Sequence, residues 1–572
     1  MGSFVTDLTT RWRVARAAPG RGARSLVWQP HPRGVGSAHV GRRILGGTWH
    51  LTGQVVEGSD PWALKAPSLA FARALHGFGW LDDVMAVGDA RARHAAQGWI
   101  AGWLRRYGRG RGPGWAPALA GRRLLRWLAH APALLGDMDD RDQAAWFEAA
   151  YRHAGYLRRH ARDAPAGLAR MEAAVGLLYA GLVLEGMDGL REDATSVLAE
   201  GLRLDIAEDG GIASRNPEAL LEMMTLLGWA VGALRDGGHE VPRALVWAQA
   251  RAIPALRSLR HADGRLARFH GGSGGRDGQL DRVLAESGIR DRAEDGMAMG
   301  FLSVAHGRTS LIVDAAVPPR GEASASAHAS TGAFELSSGA GPVIVSCGPG
   351  GAFGPDWHRA GRATAFHSTV EIEGASSSRI GPVEGGPGAR YAPLIQGPTG
   401  VQVQRASKAG ATTVILRHDG YARSHGLHHL RRLVLSTDGR RVQGEDALRA
   451  IGAADKDRFA RVLDDGKPDG LTFHVRFHFH PDTSVELGMG GTAAAIELPT
   501  GETWVLRTGR PVSMRLDSSV HLDPARLSPR PAQQVVFTDR VLSYSATIDW
   551  TLTRTQEARD LPPSPAERPG RF

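Results

Sequence analysis

The sequence predicts a multidomain α+β chain in which an incomplete α/α toroid is followed by an antiparallel β-sandwich. Three observations predict it. From about Pro67 to Leu259 apolar residues recur at helical spacing, whereas after Ile289 the chain breaks into short alternating or β-branched runs. The chain is also 572 residues long, with 42% apolar and 22% charged residues, which is too long for one hydrophobic core.

The helical half reads LAFARALHGFGWL, RRLLRWLAHAPALL, AAWFEAAYRHAGYLRRHA, MEAAVGLLYAGLVLEG, DATSVLAEGLRLDIA and NPEALLEMMTLLGWAVGAL, joined by short Gly, Pro or Asp-rich turns. Several of these segments are apolar on more than one face, as helices packed in two concentric layers must be. The strand half reads FLSVAHGRTSLIVDAA, FELSSG, PVIVSCG, STVEIEG, TTVILRHDGY, RRLVLSTDGR, LTFHVRFHFHP, AAAIELPTG, ETWVLRTG and QVVFTDR, with STDGR and LPTGE as hairpin turns. The expected boundaries are an extension over 1–45, the toroid over 46–264, a Gly, Asp and Arg-rich linker over 265–292, the sandwich over 293–555 and a disordered tail over 556–572. Of 15 tryptophans, 12 lie at or before Trp247, so the helical core is expected to be aromatic, with some indoles free to stack on sugar rings.

No run of about 20 apolar residues is present to span a membrane. The basic start, MGSFVTDLTTRWRVARAAPGRGARS, has no apolar h-region behind it, which predicts a cytoplasmic protein, with the periplasm or cell envelope as the alternative. The net charge of +10 is carried by arginine, because Lys65, Lys408, Lys456 and Lys467 are the only lysines. Arginine pairs bidentately with carboxylate, sulfate or phosphate, which makes an anionic polymer the natural partner. No nucleic-acid motif accompanies the charge. Cys347 is the single cysteine, so no intrachain disulfide forms and no Cys-rich zinc module is present.

The stretch from Ser326 to Arg379 sets His328 and His367 beside apolar strands and clustered arginines. Its pattern, H-A-x-x-x-x-F-E-L and then R-x-T-x-x-H-S-T-V, resembles the C-terminal domain of the heparinase II/III family, polysaccharide lyases that cleave uronic-acid-containing chains. In that family the two segments read H-x-H-A-D and R-S-T-x-x-H-N-T. The resemblance implies the same toroid-plus-sandwich fold and β-elimination on an anionic polysaccharide, bound in a cleft between the two domains. It also implies a zinc site at His328 and His367. The family's third ligand, an Asp, is replaced by the run Val345, Ser346, Cys347, Gly348, so that Cys347 is the remaining candidate for a Cys-His-His set.

A uronate lyase must neutralise the carboxylate, remove the C5 proton and protonate the leaving O4. The positions that carry this in the family are substituted here. Ser326 stands at the catalytic histidine, Leu168 and Ala169 at an Asn-His pair, and Ala219 at a tyrosine, whereas Glu172, Arg215 and Pro217 are kept. The catalytic candidates are therefore His328, His367, Glu172 and a relocated Tyr421. The substrate-binding candidates are Arg215, Trp357, His358, Arg359 and Arg362, the last at the family's R-S-T arginine, where a purely structural fork to loop carbonyls is the competing role. Two functions follow: a polysaccharide lyase with moved acid and base, or a non-catalytic protein that binds anionic polysaccharide or assists envelope-polysaccharide assembly on the same scaffold.

Overall fold

The computed structural model describes residues 2–17, 25–384, 392–467 and 469–557. The chain divides into a helical unit, Met1–Glu208, Ala219–Ile253 and Val283–Ile289, and a β-rich unit, Asp209–Glu218, Pro254–Arg282 and Arg290–Phe572. The fold class is the expected one, helices of an α/α toroid followed by antiparallel sheets.

Helices Leu69–His76, Ala90–Tyr107 and Asp140–His160 begin where a side-chain oxygen accepts an otherwise orphaned backbone N–H. Ser68 takes Phe71 N at 3.1 Å, Asp89 takes Ala92 N at 2.7 Å and Asp139 takes Asp142 N at 2.8 Å, each cap contributing about 1 kcal/mol. Leu168–Val183 is buried on every side from Met171 to Val183, as a helix of an inner layer is. It meets Pro117–Ala129 at bare backbone. A Cβ on Gly176 would stand 2.6 Å from Gly121 Cα, and one on Gly121 would stand 2.5 Å from Ala173 Cα.

Arg123 is fully buried in an aromatic cage, its guanidinium carbon 3.9 Å from the Trp103 ring, and it donates to the carbonyls of His76 (2.9 Å) and Gly114 (3.0 Å). Trp49 packs edge-on to Trp80 and Trp99. Two helices, Ala90–Tyr107 and Arg243–Ser258, lie outside the segments that the periodicity marked. Both are rich in the helix formers Ala and Arg, the second accommodates Pro254, and Ile100, Trp103, Leu245 and Ile253 bury their apolar side chains.

The β-rich unit contains sheets of eight, five and four strands. The eight-stranded sheet runs Val401–Lys408, Ala411–Tyr421, Leu427–Ser436, Arg441–Arg449, Ser545–Gln556, Thr503–Thr508, Ala493–Glu497, Ser484–Gly488. Both expected hairpins form: Ser436 and Arg441 flank one turn, Glu497 and Thr503 the other. One core joins Phe334, Leu336, Leu416, Phe473, Phe477, Phe537 and Trp550 across the sheets. Strands Val401–Lys408, Arg441–Arg449, Ser484–Gly488, Ser513–His521 and Ser545–Gln556 were not among the expected runs.

The segment 265–292 is folded. Leu266 bridges to Arg260, and Gln279–Ser287 is a helix. The extension carries helices Gly2–Ala15 and Ala38–Leu45, and residues 558–572 of the expected tail lie outside the described residues. Among the described residues no helix is long and apolar enough to cross a membrane.

Candidate functional site

A buried polar cluster forms in the β-rich unit where strand Thr309–Asp314 ends. Asp314, with no solvent exposure, accepts from Arg215 Nη2 (2.5 Å) and Ser330 Oγ (2.7 Å), and His270 Nε2 lies 3.4 Å from its second oxygen. Although burial opposes ionisation of Asp314, the Arg215 guanidinium, then His270, hold its carboxyl well below the usual carboxylate range. His270 Nδ1 accepts from the backbone N of His328 at 3.0 Å, which places His328 against it.

The His328 and His367 rings stack with centroids 4.7 Å apart. His328 Nδ1 is 3.1 Å from His270 N and its Nε2 is 2.9 Å from Gly271 N. A neutral imidazole accepts at one nitrogen only, so one of these is the hydrogen bond. His367 Nδ1 lies 3.0 Å from Ser346 Oγ, and its buried Nε2 has no hydrogen-bond partner among the described residues. Burial drives His328 well below its ordinary value and His367 down to about 3, so both rings are neutral.

The expected zinc ligands do not form a set. Cys347 Sγ lies 3.4 Å from His478 Nδ1 and 3.8 Å from Ser519 Oγ, and burial pushes its thiol up to about 11. Ser346, where the resemblance calls for a carboxylate, bonds His367 instead. Among the described residues no three His, Cys, Asp or Glu side chains are placed to hold a metal ion. These residues do not fit the zinc site that the resemblance implies.

The other expected site residues divide by exposure. Tyr421 is fully buried and donates to Val370 O at 2.7 Å, and burial pushes its phenol far up. Glu172, in the helical unit, accepts from Arg122 Nε at 2.7 Å, and burial raises its carboxyl against the pull of Arg122. Arg215 spends its fork on Met299 O (2.9 Å), Val317 O (2.8 Å), Gly300 O (2.8 Å) and Asp314, from a backbone φ of 52°. Arg362 donates to Ala327 O, Ala392 O and Ser324 O, all at 2.8 Å. Both arginines are structural forks. On helix Pro355–Ala360, Trp357 and His358 are half-buried and Arg359 is exposed.

Arg359 opens onto a groove of about 1320 Å³ in the β-rich unit. Arg320, Arg379 and Arg423 also line it, all four exposed and none paired with a carboxylate among the described residues. Asp356 and Asp419 are the acidic residues of the lining, and Asp419 is occupied by Thr399 N (2.8 Å), Thr399 Oγ1 (2.6 Å) and Gly400 N (3.1 Å).

Sequence reasoning missed Asp314, His270 and Ser330. The signal for Asp314 was a single carboxylate ending the otherwise apolar run LIVD, where a buried charge requires a partner. It also missed a second buried network, in which Asp446 accepts from Arg431 Nε (2.7 Å), Arg431 Nη2 (3.1 Å) and Trp550 Nε1 (2.9 Å), with His429 Nε2 at 2.9 Å.

Residues 289–551 match the family model described as "Heparinase II/III-like, C-terminal". The chain belongs to the heparinase II/III-like family. Over 560 residues, 96% of this chain and 92% of the relative, this family member is 32% identical to FtsZ-localized protein C of Caulobacter vibrioides (strain NA1000 / CB15N). Its fold is similar to that of heparinase III, with a TM-score of 0.68, 11% identity and coverage of 96% of this chain and 89% of the other. It is also similar to heparan sulfate lyase HepC of Pedobacter heparinus, with a TM-score of 0.56, 13% identity and coverage of 97% and 89%. The scaffold is thus polysaccharide lyase-like.

Proposed function

We propose that this chain is a lyase-fold protein without lyase chemistry, a binding or assembly protein that localises with FtsZ. The observation that carries the reading is the state of the candidate acids and bases. His328, His367 and Tyr421 are buried, burial pushes the Tyr421 phenol far up, and Glu172 is spent on Arg122. A proton-transfer group must reach the substrate proton within hydrogen-bond distance. The localisation rests on the relative named for FtsZ.

Purified protein incubated with a panel of uronic-acid polysaccharides is expected to give no rise in ultraviolet absorbance from unsaturated products. A fluorescent fusion in the native cell is expected to overlap FtsZ. The lytic reading finds its nearest support in His358, half-buried one residue before the exposed Arg359. Product formation abolished by His358→Gln would replace our reading with that one. A diffuse fusion would remove the FtsZ part alone.

A further inference from the structure

The arginine-lined groove of the β-rich unit has a chemistry of its own. At about 1320 Å³ it exceeds the roughly 300–1,000 Å³ of small-molecule pockets, so a segment of a larger molecule fills it better. Among the described residues the lining holds four arginines against two aspartates, one of them already engaged, so the charge favours an anionic occupant. Among the described residues no aromatic side chain lines it, so these residues offer no flat apolar face on which a sugar ring stacks. Its apolar contacts are instead Ile380, Leu394, Ile395 and prolines.

One wall is a two-stranded ribbon, Arg379–Ile380 with Leu394–Gln396, whose register shifts between Leu394 and Gln396. Ile395 is the residue left over at that shift and is 44% exposed. Beside it Ser378, 3% exposed, buries an Oγ with no hydrogen-bond partner among the described residues. A Cβ on Gly397 would come within 2.7 Å of that oxygen.

We propose that this groove docks an extended acidic segment of a partner protein, with carboxylates on Arg320, Arg359, Arg379 and Arg423 and apolar side chains on Ile380 and Ile395. An extended peptide laid along a short ribbon takes affinity from backbone hydrogen bonds and specificity from alternate side chains. Charge complementarity selects the acidic peptide. The inference does not depend on the absence of lyase activity.

The probe is a random dodecapeptide display library, selected on the full chain and counter-selected on a variant with all four arginines changed to Ser. The expected result is enrichment of peptides that alternate acidic and apolar residues. A synthetic copy of an enriched peptide, followed by fluorescence anisotropy, is expected to bind the four-arginine variant at least about tenfold more weakly, and to weaken with salt. Bound peptide is expected to slow hydrogen exchange over 376–380 and 394–397. Melting at the wild-type temperature shows that the variant is folded; if it is not, Arg379→Ser and Arg423→Ser tested singly serve the same comparison. Neutral or basic consensus peptides, equal affinity for wild type and variants, or protection elsewhere would each overturn the proposal. So would a heparin oligosaccharide that binds through these arginines where no peptide does, which would assign the groove to polysaccharide.

Discussion

Lowering the pH from 7.5 to 5.5 is expected to weaken the β-rich unit sharply through its buried neutral histidines. Burial holds His367 and His478 near 3 and drives His328 well below its ordinary value, against about 6.5 in the unfolded chain. The sign follows from linkage: below about pH 6.5 the unfolded chain binds protons that the folded one refuses, so stability is lost as pH falls. At pH 5.5 each histidine costs about 1.4 kcal/mol, about 4 kcal/mol for the three, against a typical total of roughly 5–15 kcal/mol. Urea denaturation at pH 7.5, 6.5 and 5.5, followed by circular dichroism and by hydrogen exchange in Leu471–His478, measures the loss. Calorimetry in buffers of different ionisation enthalpy counts the protons taken up on unfolding at pH 5.5. A midpoint unchanged over this range, or no proton uptake, would refute the reasoning. His367→Gln should remove one histidine's share, about 1.4 kcal/mol of the loss at pH 5.5; His270, His418, His429, His480 and His521, also lowered by burial, keep the rest of the slope.

Asp446→Ala leaves the buried Arg431 guanidinium without its countercharge and should cost about 3–5 kcal/mol, read as a lower denaturation midpoint. The joint variant Asp446→Ala with Arg431→Met should recover part of this loss. Gly176→Ala drives a methyl into the backbone at Gly121 and should cost about 1–3 kcal/mol by thermal unfolding. A chelator should leave the melting temperature unchanged, and elemental analysis should find less than one zinc per chain, because no ligand set is assembled at His328 and His367; a chelator-induced fall in melting temperature would contradict that geometry.

The two halves were legible because burial writes different periods into helices and strands, 3.6 residues in one and 2 in the other. What escaped did so where tertiary packing outweighed local pattern. Strand Arg441–Arg449 reads RVQGEDALR, which looks like surface chain, yet Gly444 is required because the Trp550 ring lies where its Cβ would be, and Asp446 is required by Arg431. In the candidate site, the family resemblance paired His328 and His367, and both lie in the loops that lead into strands Phe334–Ser338 and Val370–Ile372. The roles of Arg215 and Arg362 were not legible. An arginine that binds a carboxylate on a ligand and one that ties down carbonyls are the same letter, and the carbonyls of Val317 and Ala392 are distant in sequence. The groove was signalled only by Arg359, because Arg320, Arg379 and Arg423 meet it from segments separated in sequence.

The tryptophan cage around Arg123 gives the helical unit an optical signature. Trp103 stands 5.8 Å from both Trp115 and Trp127, and Trp49 stands 5.3 Å from Trp80, close enough for an excited indole to pass its energy to its neighbours before it emits. Emission should therefore come from the lowest-energy ring of a dry cluster, blue-shifted and depolarised, and should redden when the helical unit opens. Trp504 and Trp550 are the buried indoles of the β-rich unit. Replacing these two and the half-buried Trp357 by Phe would leave a chain whose ultraviolet fluorescence follows one half of the molecule while circular dichroism follows both.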